Sequence, residues 1–184
     1  MGVSDIHRFC FAIWSAVNIS SNTRKTLASL SMCGFAAGIL AYILSFLGVP
    51  VDKVIPWMGL LCVGMMILFL PVFILEYPTS RSPTFFYNEF AKGMPKWVAP
   101  CEWILALIAL LQVIWFALHS GLGVPALQDG QYVIESHGHI IEVISEAEYL
   151  ALKEAGLRMF AAMMVSFYFV PMVYWWFRRN GRPN

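Results

Sequence analysis

The stretch LASLSMCGFAAGILAYILSFLGV, residues 27–49, contains no Asp, Glu, Lys or Arg. As a helix rising about 1.5 Å per residue, it is long enough to cross the ~30 Å hydrocarbon core of a bilayer. Within it Ser31, Gly34 and Gly38 are spaced three and then four residues apart, which strips one helix face of bulk and lets another helix approach closely. That face is expected to pack against another helix, either within the subunit or between the subunits of a homo-oligomer.

Working outward, three further stretches carry no charge, so the set is Thr26–Val51, Val54–Leu75, Trp103–Gln128 and Met159–Phe177. The 184-residue chain is 59% hydrophobic and only 12% charged, too apolar for a domain with a fully wetted surface. The expected fold is an all-α integral membrane bundle of four transmembrane helices with a small extracytoplasmic β-hairpin. In domain terms, residues 1–25 form a cytoplasmic or interfacial segment, residues 26–177 the membrane domain with its outer loop at 119–157, and residues 178–184 a basic cytoplasmic tail.

Charge sets the orientation. With the N-terminus cytoplasmic, Arg8, Arg24, Lys25, Arg81, Lys92, Lys96, Arg178, Arg179 and Arg182 share that side, leaving Lys53, Lys153 and Arg158 opposite. This positive-inside bias places both termini in the cytoplasm of a bacterial inner membrane. A net charge of +1 gives no electrostatic footprint for nucleic acid. In this topology none of Cys10, Cys33, Cys62 and Cys101 lies in an outer loop, so no disulfide framework is expected.

Residues 6–19 read as a short helix lying in the membrane interface. The connection between the second and third spans places Phe85, Phe86, Tyr87 and Phe90 beside Lys92 and Lys96, a pattern suited to the membrane surface or to a cytoplasmic protein partner. On the other side, QYVIES-HG-HIIEVI, residues 131–144, reads as a hairpin turning on His137-Gly138. Pairing Ser136 with His139 would set Ile134 opposite Ile141 and Tyr132 opposite Val143. Ser145-Glu146-Ala147-Glu148 is a capping box, so a helix is expected from about Glu146 to Phe177, its first turns projecting from the membrane. Glu154 and Arg158 are spaced for an ion pair there, and Gly156 marks an expected bend. The hairpin is expected to lean on this helix or on a neighbouring subunit.

The chemistry is sparse. The four spans, as delimited, hold no carboxylate or base at mid-depth, which weighs against proton-coupled transport. Gln112 is their most polar residue, suited to an interhelical hydrogen bond or to the lining of an oligomeric pore. Glu76 and Glu102 fall at span ends, where carboxylates are usually solvated or paired. His119, His137 and His139 all lie on the outer side, but a tight turn separates the last two, so turn geometry explains His137-Gly138-His139 better than a metal does. No catalytic residues, metal or cofactor are expected. The sequence therefore reads as a non-enzymatic, oligomeric membrane sensor or anchor for a cytoplasmic partner, with envelope or phage-defence signalling as a suitable setting. An oligomeric channel or small transporter is the alternative.

Overall fold

In the computed structural model the described residues are 20–47, 49, 58–76, 94–121 and 123–177, with backbone alone for Met58 and 73–76. The interfacial segment at 6–19, Phe85, Phe86, Tyr87, Phe90 and Lys92, and the basic tail at 178–184 lie outside them.

Among the described residues, helices and strands follow in the order α1 (Ser21–Phe46), α2 (Met58–Glu76), α3 (Val98–Ser120), β1 (Val124–Gln128), β2 (Gln131–Ser136), β3 (His139–Val143) and α4 (Glu146–Phe177). By length and composition α1, α3 and α4 are able to cross a membrane. The shorter α2, whose described side chains are apolar over Gly59–Val72, packs beside them. Large apolar side chains face outward all along α1, α2 and α3, among them Leu40, Ile67 and Leu107, each more than half exposed. Such faces suit lipid and would be costly in water.

The helix α4 is the axis of the bundle. Its buried residues fall into layers, each shared with one or two of its neighbours. Ala161 meets Ala41 of α1 near the sheet end. Met164 and Tyr168 meet Met65 and Leu68 of α2. Phe169 and Val173 meet Val98 of α3, and Tyr174 and Trp175 meet Ala28 and Val72. Residue numbers on α1 and α3 fall as those on α4 rise, so both run antiparallel to it, while α2 runs parallel. The small-residue face identified in the sequence makes this packing close. A Cβ on Gly34 would lie 2.2 Å from a ring carbon of Tyr168, and one on Gly38 would lie 3.3 Å from the Val165 backbone nitrogen.

The capping box is present: the Ser145 amide and hydroxyl donate to the Glu148 carboxylate at 2.9 and 2.8 Å, and the Glu148 amide donates to Ser145 Oγ at 3.3 Å. From there α4 runs through Gly156 without a break in its helical assignment. A Cβ at this glycine would meet Phe116 of α3 at 3.4 Å.

The third span and the hairpin need correction. The helix α3 begins at Val98 and stops at Ser120, where Gly121 takes a left-handed conformation and closes its C-terminus. The uncharged residues beyond it form β1, so the expected hairpin is a three-stranded antiparallel meander, β1-β2-β3. Pro125 is tolerated because β1 is an edge strand. Both turns are two-residue loops with positive φ at each central position: 50° and 79° at Asp129-Gly130, 53° and 82° at His137-Gly138. That pattern matches the twist of the flanking strands. Ser136 pairs with His139 and Glu135 with Ile140, as expected. Beyond them a bulge places Ile134 opposite Glu142 and Val133 opposite Val143, so the expected Ile134–Ile141 and Tyr132–Val143 pairs do not form. The extra residue, Ile141, is absorbed in β3, an exposed edge strand with no second partner among the described residues to hold its register.

Candidate functional site

Two regions combine polar chemistry with defined geometry: the junction of the sheet with α4, and a groove between α1 and α3 just beneath it.

At the junction the sheet leans on the first turns of α4. The rings of Tyr132 and Tyr149 lie 4.9 Å apart, Lys153 Nζ sits 5.9 Å from the Tyr149 ring, and the Ile144 amide donates to the Tyr132 carbonyl at 2.9 Å. Partial desolvation and the neighbouring Glu146 carboxylate hold the Tyr132 phenol above its ordinary pKa, while the two Ser145 donors hold Glu148 below the usual carboxylate range. Val133 and Ile134 are buried, but every residue of β3 is exposed, including Ile140, Ile141 and Val143. The sheet therefore carries an apolar edge without cover from the described residues.

The groove has a volume of about 460 Å³. Its walls are Phe46 of α1 and Leu111, Ile114, Trp115 and Leu118 of α3, with Gln112 and Arg158 as its polar groups. Gln112 Nε2 donates to the Tyr42 hydroxyl at 3.1 Å, which ties α3 to α1. The Arg158 guanidinium lies 5.3 Å from the centroid of Phe46 and 6.0 Å from that of Trp115. The expected Glu154–Arg158 ion pair is not formed: the cation rests on aromatic faces instead, whose negative quadrupole attracts it. Trp115 is stacked on its other neighbour, His119, at 4.0 Å, and His119 Nδ1 lies 2.8 Å from the Trp115 carbonyl, a bond that fixes the proton on Nδ1.

The three outer histidines do not converge. His119 ends α3, His137 occupies a turn with Nδ1 2.9 Å from Ser136 Oγ, and His139 opens β3. Among the described residues no three His, Cys, Asp or Glu side chains come together as a metal set. Ser31 is buried and its hydroxyl donates to the Leu27 carbonyl of its own helix at 2.8 Å. Gly34 and Gly38 face α4 within the chain, and Lys96 is exposed just before α3.

One polar contact between α3 and α4 is not announced by the spacing of residues in the sequence. Because α3 begins at Val98, Glu102 is its fifth residue and lies within the helix, near its N-terminal end. It accepts a hydrogen bond of 2.9 Å from Ser166 Oγ, in the apolar part of α4, and its Oε2 is buried with no hydrogen-bond partner among the described residues. The signal available was Pro100, which suits the first turn of a helix and so points to an earlier start.

Compared with models of protein families, with curated proteins and with solved structures, the chain matches none of them, so its function rests on its own residues.

Proposed function

We propose that this protein is a four-span sensor or anchor of the bacterial inner membrane, with no catalytic role, its sheet outside and its termini and the 77–97 connection in the cytoplasm. The observation that carries the reading is the continuity of α4. One unbroken helix bears the sheet at one end, and at the other its last turns contact Met94 and Trp97, which close the connection. Trp97 lies 6.3 Å from the Phe169 ring and 6.0 Å from Phe177. A load on the sheet would thus reach the connection through packed side chains alone, a route suited to signalling. The cytoplasmic partner would sit on Phe85, Phe86, Tyr87 and Phe90, beside Lys92 and Lys96. A homo-oligomer belongs to the same reading. Since α4 covers Gly34 and Gly38, its contacts would fall on the outward faces of the helices and on β3. A pore through a single subunit finds less support, because large side chains, Tyr168 and Tyr174 among them, are buried between the helices; an oligomeric channel or small transporter is the alternative reading.

A photo-crosslinker at Phe86, used in native membranes, tests the reading. One dominant protein adduct is expected, with a yield that changes when Ile141→Arg is introduced on β3. Adducts to lipid alone, or ion flux through liposomes containing the pure protein, would overturn it.

A further inference from the structure

Arg158 lies where an apolar trough meets the sheet end of the bundle, and no described carboxylate pairs with it; its contacts are the rings of Phe46 and Trp115. Below it the groove is apolar except for Gln112, whose amide is already engaged with Tyr42. A cation at the mouth of an apolar groove complements a molecule with an anionic head and a hydrocarbon tail. Aromatic faces leave the guanidinium's in-plane N–H donors free, and a phosphate can accept two of them. A bilayer supplies such molecules at high local concentration, and the groove opens between two helices with lipid-suited faces.

We propose that this groove is a binding site for an anionic glycerophospholipid of the surrounding bilayer. The phosphate pairs with Arg158, and one acyl chain lies against Leu111, Ile114 and Leu118 between α1 and α3. This assignment rests on the membrane placement of the bundle but not on a sensing role, so either can fail without the other. The lipid seals the α1–α3 gap at the level of the Gln112–Tyr42 bond. It also neutralises the Arg158 guanidinium at the sheet end of α4.

The test is native mass spectrometry of the full chain released from bilayers of equal phosphatidylglycerol and phosphatidylcholine. The wild type is expected to retain one phosphatidylglycerol in roughly tenfold preference over phosphatidylcholine, whose phosphate is the same but whose choline cation offsets the negative charge that Arg158 meets. Arg158→Gln should abolish the preference, and Arg158→Lys should keep part of it. Leu118→Trp, which fills the groove and leaves the cation in place, should lower retention of phosphatidylglycerol, and it keeps the proposal testable if Arg158→Gln folds poorly. Equal retention of the two lipids by the wild type, or an unchanged preference in both Arg158→Gln and Leu118→Trp, would overturn the proposal. So would retention of added oleate with none of phosphatidylglycerol, which would assign the groove to a free fatty acid.

Discussion

Gly34→Ala is the sharpest probe of how the bundle is held. The added Cβ would lie 2.2, 2.4 and 2.5 Å from three ring atoms of Tyr168, far inside van der Waals contact. The ring has little freedom to yield: Tyr168 is 2% exposed, and its hydroxyl donates to the Leu61 carbonyl of α2 at 2.7 Å. Overpacking of this kind costs about 1–3 kcal/mol, and a ring atom at 2.2 Å argues for the upper end. Losing the hydroxyl bond adds about 0.6 kcal/mol, the average for an interhelical bond in a membrane. Against these stands alanine's helix propensity, worth about 1 kcal/mol. The net loss is then about 2.5 kcal/mol, or roughly sixtyfold in the unfolding equilibrium. Unfolding titrations in bicelles would measure it, with Gly59→Ala as the control, since nothing lies within 4 Å of a Cβ there. In a Tyr168→Leu background the cost of Gly34→Ala should fall below about 0.5 kcal/mol, because the obstructing ring is gone. An equal cost in both backgrounds would refute the reasoning.

Three further outcomes are expected. His137→Asn should leave the sheet intact, because asparagine tolerates the 53° φ of the turn, whereas His137→Val should destabilise it by about 1–2 kcal/mol; amide exchange in β2 and β3 would report both. The folded-state pKa of Glu148 is lowered by the Ser145 donors, so its capping contribution is complete above the unfolded value of about 4.3 and is lost as pH falls through the folded value. Amide exchange over 146–150 in the wild type, divided by that of Glu148→Gln at the same pH, should be low at neutral pH and rise toward unity on acidification; a flat ratio would remove the argument. Glu102→Gln keeps an acceptor for Ser166 and removes a buried acid, so thermal stability in detergent should hold or increase. A loss above about 2 kcal/mol would mean that Glu102 carries a needed charge.

What the sequence disclosed depended on whether the signal was local. Ser145 and Glu148 are three residues apart and their hydrogen bonds form within one turn, so the start of α4 could be read directly. His137-Gly138 likewise announced its turn. The equivalent pair Asp129-Gly130 carries the same information, but absence of charge alone extends the third span through Gly121 into β1. At the other end absence of charge starts the span after Glu102, whereas α3 starts at Val98. The bulge at Ile141 could not be read, since both registers offer apolar pairs and nothing local in β3 chooses between them. Nor could the choice of Arg158 between Glu154 and two aromatic rings from distant helices, because helical spacing speaks only for the former.

A bilayer changes which contacts carry information. Outward apolar faces are satisfied by lipid, so their exposure on α1, α2 and α3 does not fix how the helices sit against one another. The specific contacts do. Tyr42 and Gln112 join α1 to α3, Leu61 and Tyr168 join α2 to α4, Glu102 and Ser166 join α3 to α4, and the Gly34 recess seats the Tyr168 ring of α4 on α1. None of these bonds is expected to contribute much more than about 0.6 kcal/mol, so their joint effect is on register more than on strength. Three of the four converge on Ser166 and Tyr168, two residues apart on α4. Sliding α4 along its axis would therefore break both of its hydrogen bonds and lift Tyr168 from its recess together. A helix locked at one level in this way moves as a unit or not at all, and that is the mechanical property a link between the sheet and Trp97 requires.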